Sequence, residues 1–383
     1  MFALRSKNVL IENRFVPADV CISENKILSI SKYGSVNCAI DLQEKKILPG
    51  IVDLHSDAIE KEVEPRPGAR FPLKNAIAEL DKKLAVFGIT TMFHAVGFND
   101  DEVTKDKRGT DKSRELVETI YHMNKSSYLS VDNFVHARFE ITSVSSIETL
   151  KELINNKKLE MLSIMDHSPG QGQFKSLEAW KKYHIFAYGD AIEDIDAYIK
   201  KKLSVNKTGV VEDLVKFAKR YNLPVLSHDD DCIEKVNTLK ALGVSASEFP
   251  LSVEVAEYAR NLGMHIGMGA PNVVRGKSQS GNISASMLIK KDLCDYLCSD
   301  YHPSSMLMAI YKLKDELNIP IEKGFDMISL IPAKIAGLND RGEILDGKLA
   351  DLIVVDENYV PSVCMTVKKG KIVYNCIKDF LKV

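Results

Sequence analysis

The sequence predicts an α/β fold: a (β/α)8 TIM-like barrel with a small β-sandwich domain formed by both termini. Short apolar segments alternate with helix-length segments through the middle of the chain, and both ends are rich in strand-like runs. Ionisable residues also follow most of the central apolar segments. A chain of 383 residues exceeds the usual size of one domain, so we expect one large domain and one small domain.

The central apolar segments have the alternating pattern of parallel βα units. They number eight, which fits a (β/α)8 barrel, and they span residues 51–55, 90–96, 134–140, 161–166, 224–228, 245–249, 265–268 and 296–299. Helical patterns lie between most of them, for example at 76–87, 114–124, 211–221, 252–262 and 284–289. A doubly wound open sheet is the alternative, although no G-x-G-x-x-G follows the first strand. We assign residues 49–339 to the barrel.

The two ends of the chain predict the small domain. Strand-like runs separated by turn-prone or charged residues occupy 8–11, 18–22, 26–30 and 46–48, which suggests a small antiparallel sheet. Similar runs occupy 342–345, 352–355, 364–367 and 371–374, with D-G and K-G pairs as turns. Because neither end alone has enough strands for a stable sheet, residues 1–48 and 340–383 are expected to form one β-sandwich.

Composition narrows the class of protein. A hydrophobic content of 45% and a charged content of 27% are ordinary for a globular protein, and a net charge of -2 argues against a nucleic-acid-binding surface. The seven cysteines are scattered without a C-x-x-C pair, so we expect reduced thiols in a cytoplasmic protein. No stretch reaches the roughly 20 apolar residues of a membrane span, so no membrane association is expected.

The candidate functional residues lie at the ends of the predicted strands. In I-L-P-G-I-V-D-L-H-S-D, His55 and Asp57 project from one side of the first strand, because side chains alternate with a period of two. The third strand, F-V-H-A-R-F-E, likewise places His136, Arg138 and Glu140 on one face. Later strands end in Asp166, His167, His228, Asp229, Glu248, Asp300 and His302. Barrel active sites lie at this end of the strands, and a cluster of unpaired charges is costly in a core, so the pattern predicts a metal site.

The best ligand set contains three imidazoles and three carboxylates: His55, Asp57, Glu140, His167, His228 and Asp300. This mixture suits one or two divalent ions such as Zn, Mn, Fe or Ni, and Glu140 could bridge a pair. A bound metal makes water nucleophilic at neutral pH, and Asp300 is the candidate for orienting that water and accepting its proton. His136 is expected to line the site, and structural roles are expected for His94, His122, His184 and His265. The reaction class is metal-assisted hydrolysis.

Three loops after the predicted strands carry cations and polar groups where a substrate would bind. They offer Lys61, Arg66, Arg70, Gln171, Gln173, Lys175, Asn272, Arg275, Lys277, Ser278, Ser280 and Asn282. In the last loop Gly276 and Gly281 leave backbone N–H groups accessible to an anion. Arginines beside a metal favour a phosphorylated, strongly anionic substrate. The alternative for Arg66 and Arg70 is that they are solvated loop charges.

Together these motifs resemble the amidohydrolase superfamily, and within it the diphosphatases of phosphonate breakdown. The matching pieces are P-G-I-V-D-L-H-S-D, P-R-P-G, D-H-S-P-G-Q, S-H-D-D, A-P-N-V-V-R-G-K-S-Q-S-G-N and C-S-D-Y-H-P. The resemblance implies hydrolysis of α-D-ribose 1-methylphosphonate 5-triphosphate to the 5-phosphate plus diphosphate, with the six ligands above. It also implies a homodimer.

The sequence departs from the superfamily at three points. Asp57 stands where a second histidine is usual, the usual bridging lysine has no counterpart, and His302 replaces a tyrosine of the motif. His302 is therefore an additional candidate for an acid/base or phosphate contact. Two alternatives stay open: an amidohydrolase cleaving a C–N bond of a phosphorylated substrate, as a deacetylase or cyclic amidase does, and a catalytically silent scaffold.

Overall fold

The structure is a computed structural model that describes residues 1–99, 109–168, 171, 177–178, 180–182, 199–200, 202–205, 207–278 and 281–377. Four residues named above, Gln173, Lys175, His184 and Ser280, lie outside the described residues. Chain contacts define two compact units. Unit 1 contains Met1–Met92, Met123–Asn133 and Tyr296–Val383, and unit 2 contains Phe93–His122 and Phe134–Asp295.

The described strands are β1 (Phe2–Ile11), β2 (Arg14–Ser23), β3 (Lys26–Lys32), β4 (Ala39–Asp41), β5 (Lys46–Pro49), β6 (Ile51–Ser56), β7 (Ile89–Phe98), β8 (Asp132–Glu140), β9 (Met161–Met165), β10 (Val225–His228), β11 (Ala246–Glu248), β12 (His265–Gly269), β13 (Tyr296–Cys298), β14 (Leu352–Asp356), β15 (Ser362–Lys368) and β16 (Lys371–Asn375). The described helices are α1 (Ala58–Val63), α2 (Leu73–Val86), α3 (Thr110–Lys125), α4 (Ser146–Asn155), α5 (Lys207–Arg220), α6 (Ile233–Leu242), α7 (Val253–Asn261), α8 (Ala270–Arg275), α9 (Ala285–Lys290), α10 (Ser305–Leu317), α11 (Ile321–Ile328) and α12 (Leu330–Ile335). Within the described residues, no helix is both long enough and apolar enough to cross a bilayer.

The first sheet contains strands from both ends of the chain, as predicted. Its order is β16-β15-β14-β5-β1-β2-β3, with β4 beside β1. The two ends meet where β14 pairs antiparallel with β5, and Leu4, Val20, Ile47 and Val354 pack in its buried core. The prediction of a purely antiparallel N-terminal sheet is wrong, because β1 runs parallel to β4 and β5.

The predicted strand at 342–345 is also wrong, since no strand forms there. Gly342 has φ 92°, which is outside the extended region, and a Cβ at this position would meet the Leu330 Cα at 3.0 Å. The Gly342 carbonyl accepts a hydrogen bond from Ser329 Oγ at 3.0 Å. The backbone of this segment is therefore bonded to α12 and its start rather than to a neighbouring strand.

The second sheet contains the eight central strands in the order β6-β7-β8-β9-β10-β11-β12-β13. Within unit 2, neighbouring strands from β8 to β12 pair in parallel. Within unit 1, the backbone after β13 returns to β6, because Asp300 N donates to the His55 carbonyl and Asp57 N donates to the Asp300 carbonyl, both at 2.9 Å. The predicted fold class, a TIM-like barrel with a β-sandwich from both termini, is confirmed. The domain limits at 48/49 and 339/340 remain a prediction.

Unit 1 also contains a buried network of charged side chains. Asp132 accepts from Arg341 Nη1 at 2.6 Å and lies 2.8 Å from Lys368 Nζ, which in turn donates to Asp351 at 2.7 Å. Burial alone would raise the pKa of the Asp132 carboxyl, but Lys368 and Arg341 outweigh burial and hold that pKa well below its usual range. Each charge is thus matched, as a buried charge must be.

Replacing Arg341 with methionine should destabilise the protein by about 3–5 kcal/mol, because the carboxylates of Asp132 and Asp351 would stay buried with less compensating charge. A group whose pKa is lowered in the native state gives stability above its unfolded pKa and loses it as the pH falls. The difference from wild type should therefore shrink below about pH 4. Urea unfolding at a series of pH values measures this difference in the free energy of unfolding. The matched control is Arg14→Met. The side chains of Arg14 and its ion-pair partner Glu12 are 71% and 70% exposed. An equal loss of stability in both variants would contradict the prediction.

Candidate metal centre

In unit 1, the end of β6 carries alternating acidic and imidazole groups on one face. Asp53, His55 and Asp57 are spaced two apart, and His55 is only 1% exposed. Asp53 was not among the predicted site residues. Its Oδ1 accepts hydrogen bonds from Ser299 N at 3.0 Å and from His55 N at 3.3 Å. Asp53 therefore ties the strand that carries His55 to the residue before Asp300, and the D-x-H-x-D spacing is the signal that could have identified it.

Asp300 follows β13 with a left-handed backbone, φ 55°. Its N–H donates to the His55 carbonyl, and its own carbonyl accepts from Asp57 N and from Ser56 Oγ, each at 2.9 Å. Three backbone and hydroxyl groups of the β6 end are thus used to hold one residue of the β13 end. These bonds fix the position from which the Asp300 carboxylate projects.

In unit 2, two imidazoles and two carboxylates converge at the ends of β8, β9 and β10. The His167 ring bridges two carboxylates, because its Nδ1 lies 3.5 Å from Glu140 Oε2 and its Nε2 lies 3.3 Å from Asp229 Oδ2. The same Asp229 oxygen lies 3.3 Å from His228 Nδ1. Donor atoms of His167, His228 and Asp229 all lie within 4.8 Å of one another. We call these four residues the unit 2 cluster.

Electrostatics in the unit 2 cluster favour a cation. Burial alone would raise the pKa of the Asp229 carboxyl, but the imidazoles of His228 and His167 outweigh burial and hold that pKa well below its usual range. Asp229 therefore stays ionised at neutral pH. Asp229 also has φ 51°, a conformation rare for residues other than glycine, and such local strain concentrates at functional sites.

Asp229 is the cluster residue that the predicted ligand set omitted. The S-H-D-D motif contains it, but strand alternation places the residue after His228 on the opposite side of a regular strand. The strand ends at His228, and the left-handed turn at Asp229 brings its carboxylate back to the imidazoles. Only the backbone conformation reveals that the Asp229 carboxylate lies beside the imidazoles.

A half-buried lysine holds the loop that carries His228 and Asp229. Lys235 on α6 donates to the carbonyls of both residues, at 3.2 Å and 3.1 Å, and its Nζ lies 3.6 Å from Asp230 Oδ1. The other Asp230 oxygen accepts from the hydroxyls of Ser227 and Ser247, each at 2.5 Å. Burial lowers the pKa of Lys235, but the nearby carboxylates, Asp230 first, outweigh it and raise that pKa.

Replacing Lys235 with methionine should lower metal affinity about 10- to 100-fold, the usual cost of losing a group that orients ligands. The left-handed turn at Asp229 would lose both carbonyl hydrogen bonds that anchor it to α6. Competition with a metal-indicator dye measures the affinity. The control is Lys240→Met on the same helix, where Nζ donates to the Gly263 carbonyl at 3.4 Å. Equal affinity in both variants and wild type would rule out the positioning role.

The other predicted groups in unit 2 include both buried and exposed side chains. His136 is fully buried on β8, and its donor atom and that of Glu248 at the end of β11 lie within 4.8 Å of each other. His94 is buried, while His122 and His265 are exposed. His136 thus has a carboxylate neighbour from a different strand, and His122 and His265 lie on the surface.

The loop after α1 forms a defined turn that carries two predicted substrate residues. Ala69 N donates to the Arg66 carbonyl at 2.9 Å, with Pro67 and Gly68 between them and Gly68 at φ 79°. Proline followed by a residue with positive φ is the type II pattern. Arg66 and Arg70 are both exposed, so the stiff turn displays two cations to solvent.

After β12, Asn272 of the short helix α8 closes the chain on itself. Its amide nitrogen donates to the Ile283 carbonyl at 3.2 Å, and its amide oxygen accepts from Ala285 N at 3.0 Å, at the start of α9. The predicted substrate role of Asn272 competes with these bonds. Arg275 and Lys277 are exposed and Ser278 is half-buried, so the closed loop presents polar groups on its surface.

The two remaining predicted substrate residues are exposed. Gln171 N donates to the Ser168 carbonyl at 3.0 Å, and His302 Nδ1 lies 3.2 Å from Ser304 Oγ. Lys61 Nζ lies 5.0 Å from the centre of the Tyr301 ring, next to Asp300. Like the six-residue ligand set, these substrate assignments remain predictions.

The residues of the unit 2 cluster fit a divalent metal. Two imidazoles and an ionised carboxylate whose donor atoms lie within 4.8 Å are a His/carboxylate donor set, which suits first-row transition ions. No cysteine belongs to either donor group found among the described residues. The cluster therefore favours neither a thiolate-selected ion nor an oxygen-only site.

The parallel barrel and the His/carboxylate donor set at its strand ends together place this protein in the class of barrel hydrolases. The donor set is its candidate metal centre. The profile of the amidohydrolase family matches residues 46–378. The chain belongs to the amidohydrolase family, and the resemblance of its motifs to that family is confirmed.

Known relatives differ in the activity that their names give. The chain is 29% identical to the alpha-D-ribose 1-methylphosphonate 5-triphosphate diphosphatase of Escherichia coli (strain K12), over 92% of this chain and 94% of that protein. It is 25% identical to an adenine deaminase of Clostridium perfringens (strain 13 / Type A), over 96% of this chain but 58% of that protein. The N-acetyl-D-glucosamine-6-phosphate deacetylase from Mycobacterium smegmatis shares the fold, with a TM-score of 0.66, 11% identity, and coverage of 97% of this chain and 100% of that chain.

Proposed function

We propose that this protein is a metal-dependent diphosphatase that hydrolyses α-D-ribose 1-methylphosphonate 5-triphosphate to the 5-phosphate and diphosphate, in the breakdown of phosphonates. The observation that carries the proposal is the unit 2 cluster, where Asp229 Oδ2 lies 3.3 Å from both His167 Nε2 and His228 Nδ1. A relative with this activity in its name, matched over 94% of its length, supports the choice of substrate.

The exposed cations support an anionic substrate. Arg66 and Arg70 flank a rigid turn, and Arg275 and Lys277 lie at and just after the end of α8, in a segment closed by Asn272. Guanidinium groups bind phosphate oxygens in pairs of parallel hydrogen bonds. Four cations on two loops match a triphosphate better than they match a neutral amide.

In the proposed reaction, His167, His228, Asp229 and Glu140 would hold a metal in unit 2, and His55 and Asp57 remain ligands predicted from the sequence. A divalent ion there would supply positive charge to a phosphoryl oxygen and make water a better nucleophile. Asp300 orients the attacking water and accepts its proton. The water oxygen bonds to the inner or middle phosphorus, the anhydride bond between these two phosphorus atoms breaks, and its electron pair leaves with the bridging oxygen. Arg66, Arg275 and Lys277 stabilise the negative charge that develops.

Product analysis with the ribosyl triphosphate tests this proposal. Metal-loaded protein should yield one diphosphate and one ribosyl 5-phosphate per substrate, detected by ³¹P NMR. Release of orthophosphate alone, or no turnover with metal shown to be bound, would overturn it. An amide and amine substrate panel run beside it tests the second candidate, cleavage of a C–N bond in a phosphorylated compound, which the adenine deaminase relatives favour. The expected homodimer is tested by sedimentation of the same sample.

A further inference from the structure

Arg138 lies on β8 between two residues of the metal-site face. The residues on the opposite face, Val135, Ala137 and Phe139, are all at most 1% exposed and apolar. Strand alternation therefore puts the Arg138 side chain on the same face as Glu140, which lies 3.5 Å from His167. Arg138 is two residues, or about 6.6 Å of strand, before Glu140. Its side chain thus begins directly below the unit 2 cluster.

Arg138, which is half-buried, differs from Arg341 and Lys235 in having no carboxylate partner among the described residues. Its side chain forms no hydrogen bond or ion pair with them, and its Nε is buried without an acceptor. Arg341 and Lys235, in contrast, lie 2.6 Å from Asp132 and 3.6 Å from Asp230. A buried donor without an acceptor is costly. The residue thus lowers stability in the unliganded protein, which is the usual mark of a group kept for binding.

Glu140 does not compensate Arg138, although it is the nearest acidic residue along the strand. Its Oε1 accepts from Thr142 Oγ1 and its Oε2 accepts from His167 N, both at 3.1 Å. A guanidinium also cannot ligate a metal, because it carries five donors and no acceptor. Beside a divalent cation it is stable only if an anion lies between them. The group that completes this site is therefore an anion.

We propose that Arg138 binds phosphoryl oxygens of the substrate, so that the phosphates lie between the guanidinium and the metal site of unit 2. Arginine suits this position because its planar fork donates two parallel hydrogen bonds to one phosphoryl group. The identity of the substrate rests on the proposed function, but the anion subsite does not. Arg138 is then a binding residue supplied by the barrel strand itself, in addition to those on the loops.

Inorganic diphosphate is the probe, and the variants are Arg138→Met and Arg138→Lys in the metal-loaded full chain. Arg138→Met should bind diphosphate about 10- to 100-fold more weakly by calorimetry, because charge-assisted hydrogen bonds are lost. Arg138→Lys should retain part of the affinity. Without diphosphate, the melting temperature of Arg138→Met should equal or exceed that of wild type, and metal content should be unchanged. The control is Arg220→Met, an exposed arginine on α5.

Two results would overturn the proposal. One is diphosphate affinity in Arg138→Met equal to that of wild type. The other is a lower melting temperature together with lost metal, which would make Arg138 a structural support for Glu140. Diphosphate binding needs no turnover, so the assay separates the two proposals. If the ribosyl triphosphate is not hydrolysed but diphosphate binding still depends on Arg138, the proposed function is rejected and the anion subsite is kept.

Discussion

Replacing His167 with alanine should release the metal and lower kcat/KM for the ribosyl triphosphate by at least about 10³-fold, equivalent to about 4 kcal/mol. The reason is geometric. The His167 ring lies within 3.5 Å of Glu140 on one side and 3.3 Å of Asp229 on the other, so its removal takes away a ligand and leaves two carboxylates facing each other.

Metal content by elemental analysis, measured on the same sample as activity, checks this expectation. The control is His122→Ala on α3, because that imidazole is exposed and lies 3.7 Å from Glu118. Wild-type metal stoichiometry in the His167→Ala protein would remove His167 from the ligand set. Normal activity with normal metal would, in addition, reject the unit 2 cluster as the catalytic centre.

Replacing Asp300 with asparagine should lower kcat about 10²- to 10⁴-fold, the usual contribution of a group that transfers a proton, with little change in KM. The amide has nearly the size of the carboxylate but cannot accept the proton of the attacking water. The backbone bonds to His55, Ser56 and Asp57 do not involve the side chain, so the local fold should survive.

Steady-state kinetics across pH, together with circular dichroism, test the Asp300 variant. The acidic arm of the pH profile should change along with kcat, because the variant has lost the proton acceptor, whose protonation lowers the rate at low pH. Asp315→Asn, an exposed position on α10, serves as the control. A kcat within a few-fold of wild type would show that another group accepts the proton.

The fold was largely predictable because its main signals are local. Each central strand is a short apolar run between turn residues, and β6 and β7 are buried along their whole length, as strands covered on both faces must be. The errors occurred where local patterns compete with distant contacts. Residues 342–345, G-E-I-L, contain two apolar residues, but the Gly342 carbonyl accepts a hydrogen bond from the Ser329 side chain and no strand forms.

The candidate site was predictable in part for the same reason. Histidines and carboxylates at strand ends can be read from strand length and period, which identified His167 and His228. Asp229 could not be identified in this way, because its contribution depends on a left-handed turn held by Lys235 from another element. Asp53 was missed because its carboxylate receives a hydrogen bond from Ser299, 246 residues away along the chain.

The sequence by itself determined the barrel with its terminal β-sandwich, the amidohydrolase motifs and the residue types of a metal site, since these follow from periodicity and from the chemistry of each side chain. Only the tertiary structure decided which charges are paired. Asp132, Arg341 and Lys368 neutralise one another, whereas Arg138 has no such partner among the described residues. Pairing depends on distances of a few ångströms between residues far apart in the chain, because Coulomb energy and hydrogen bonding act over that range. A one-dimensional pattern does not contain those distances.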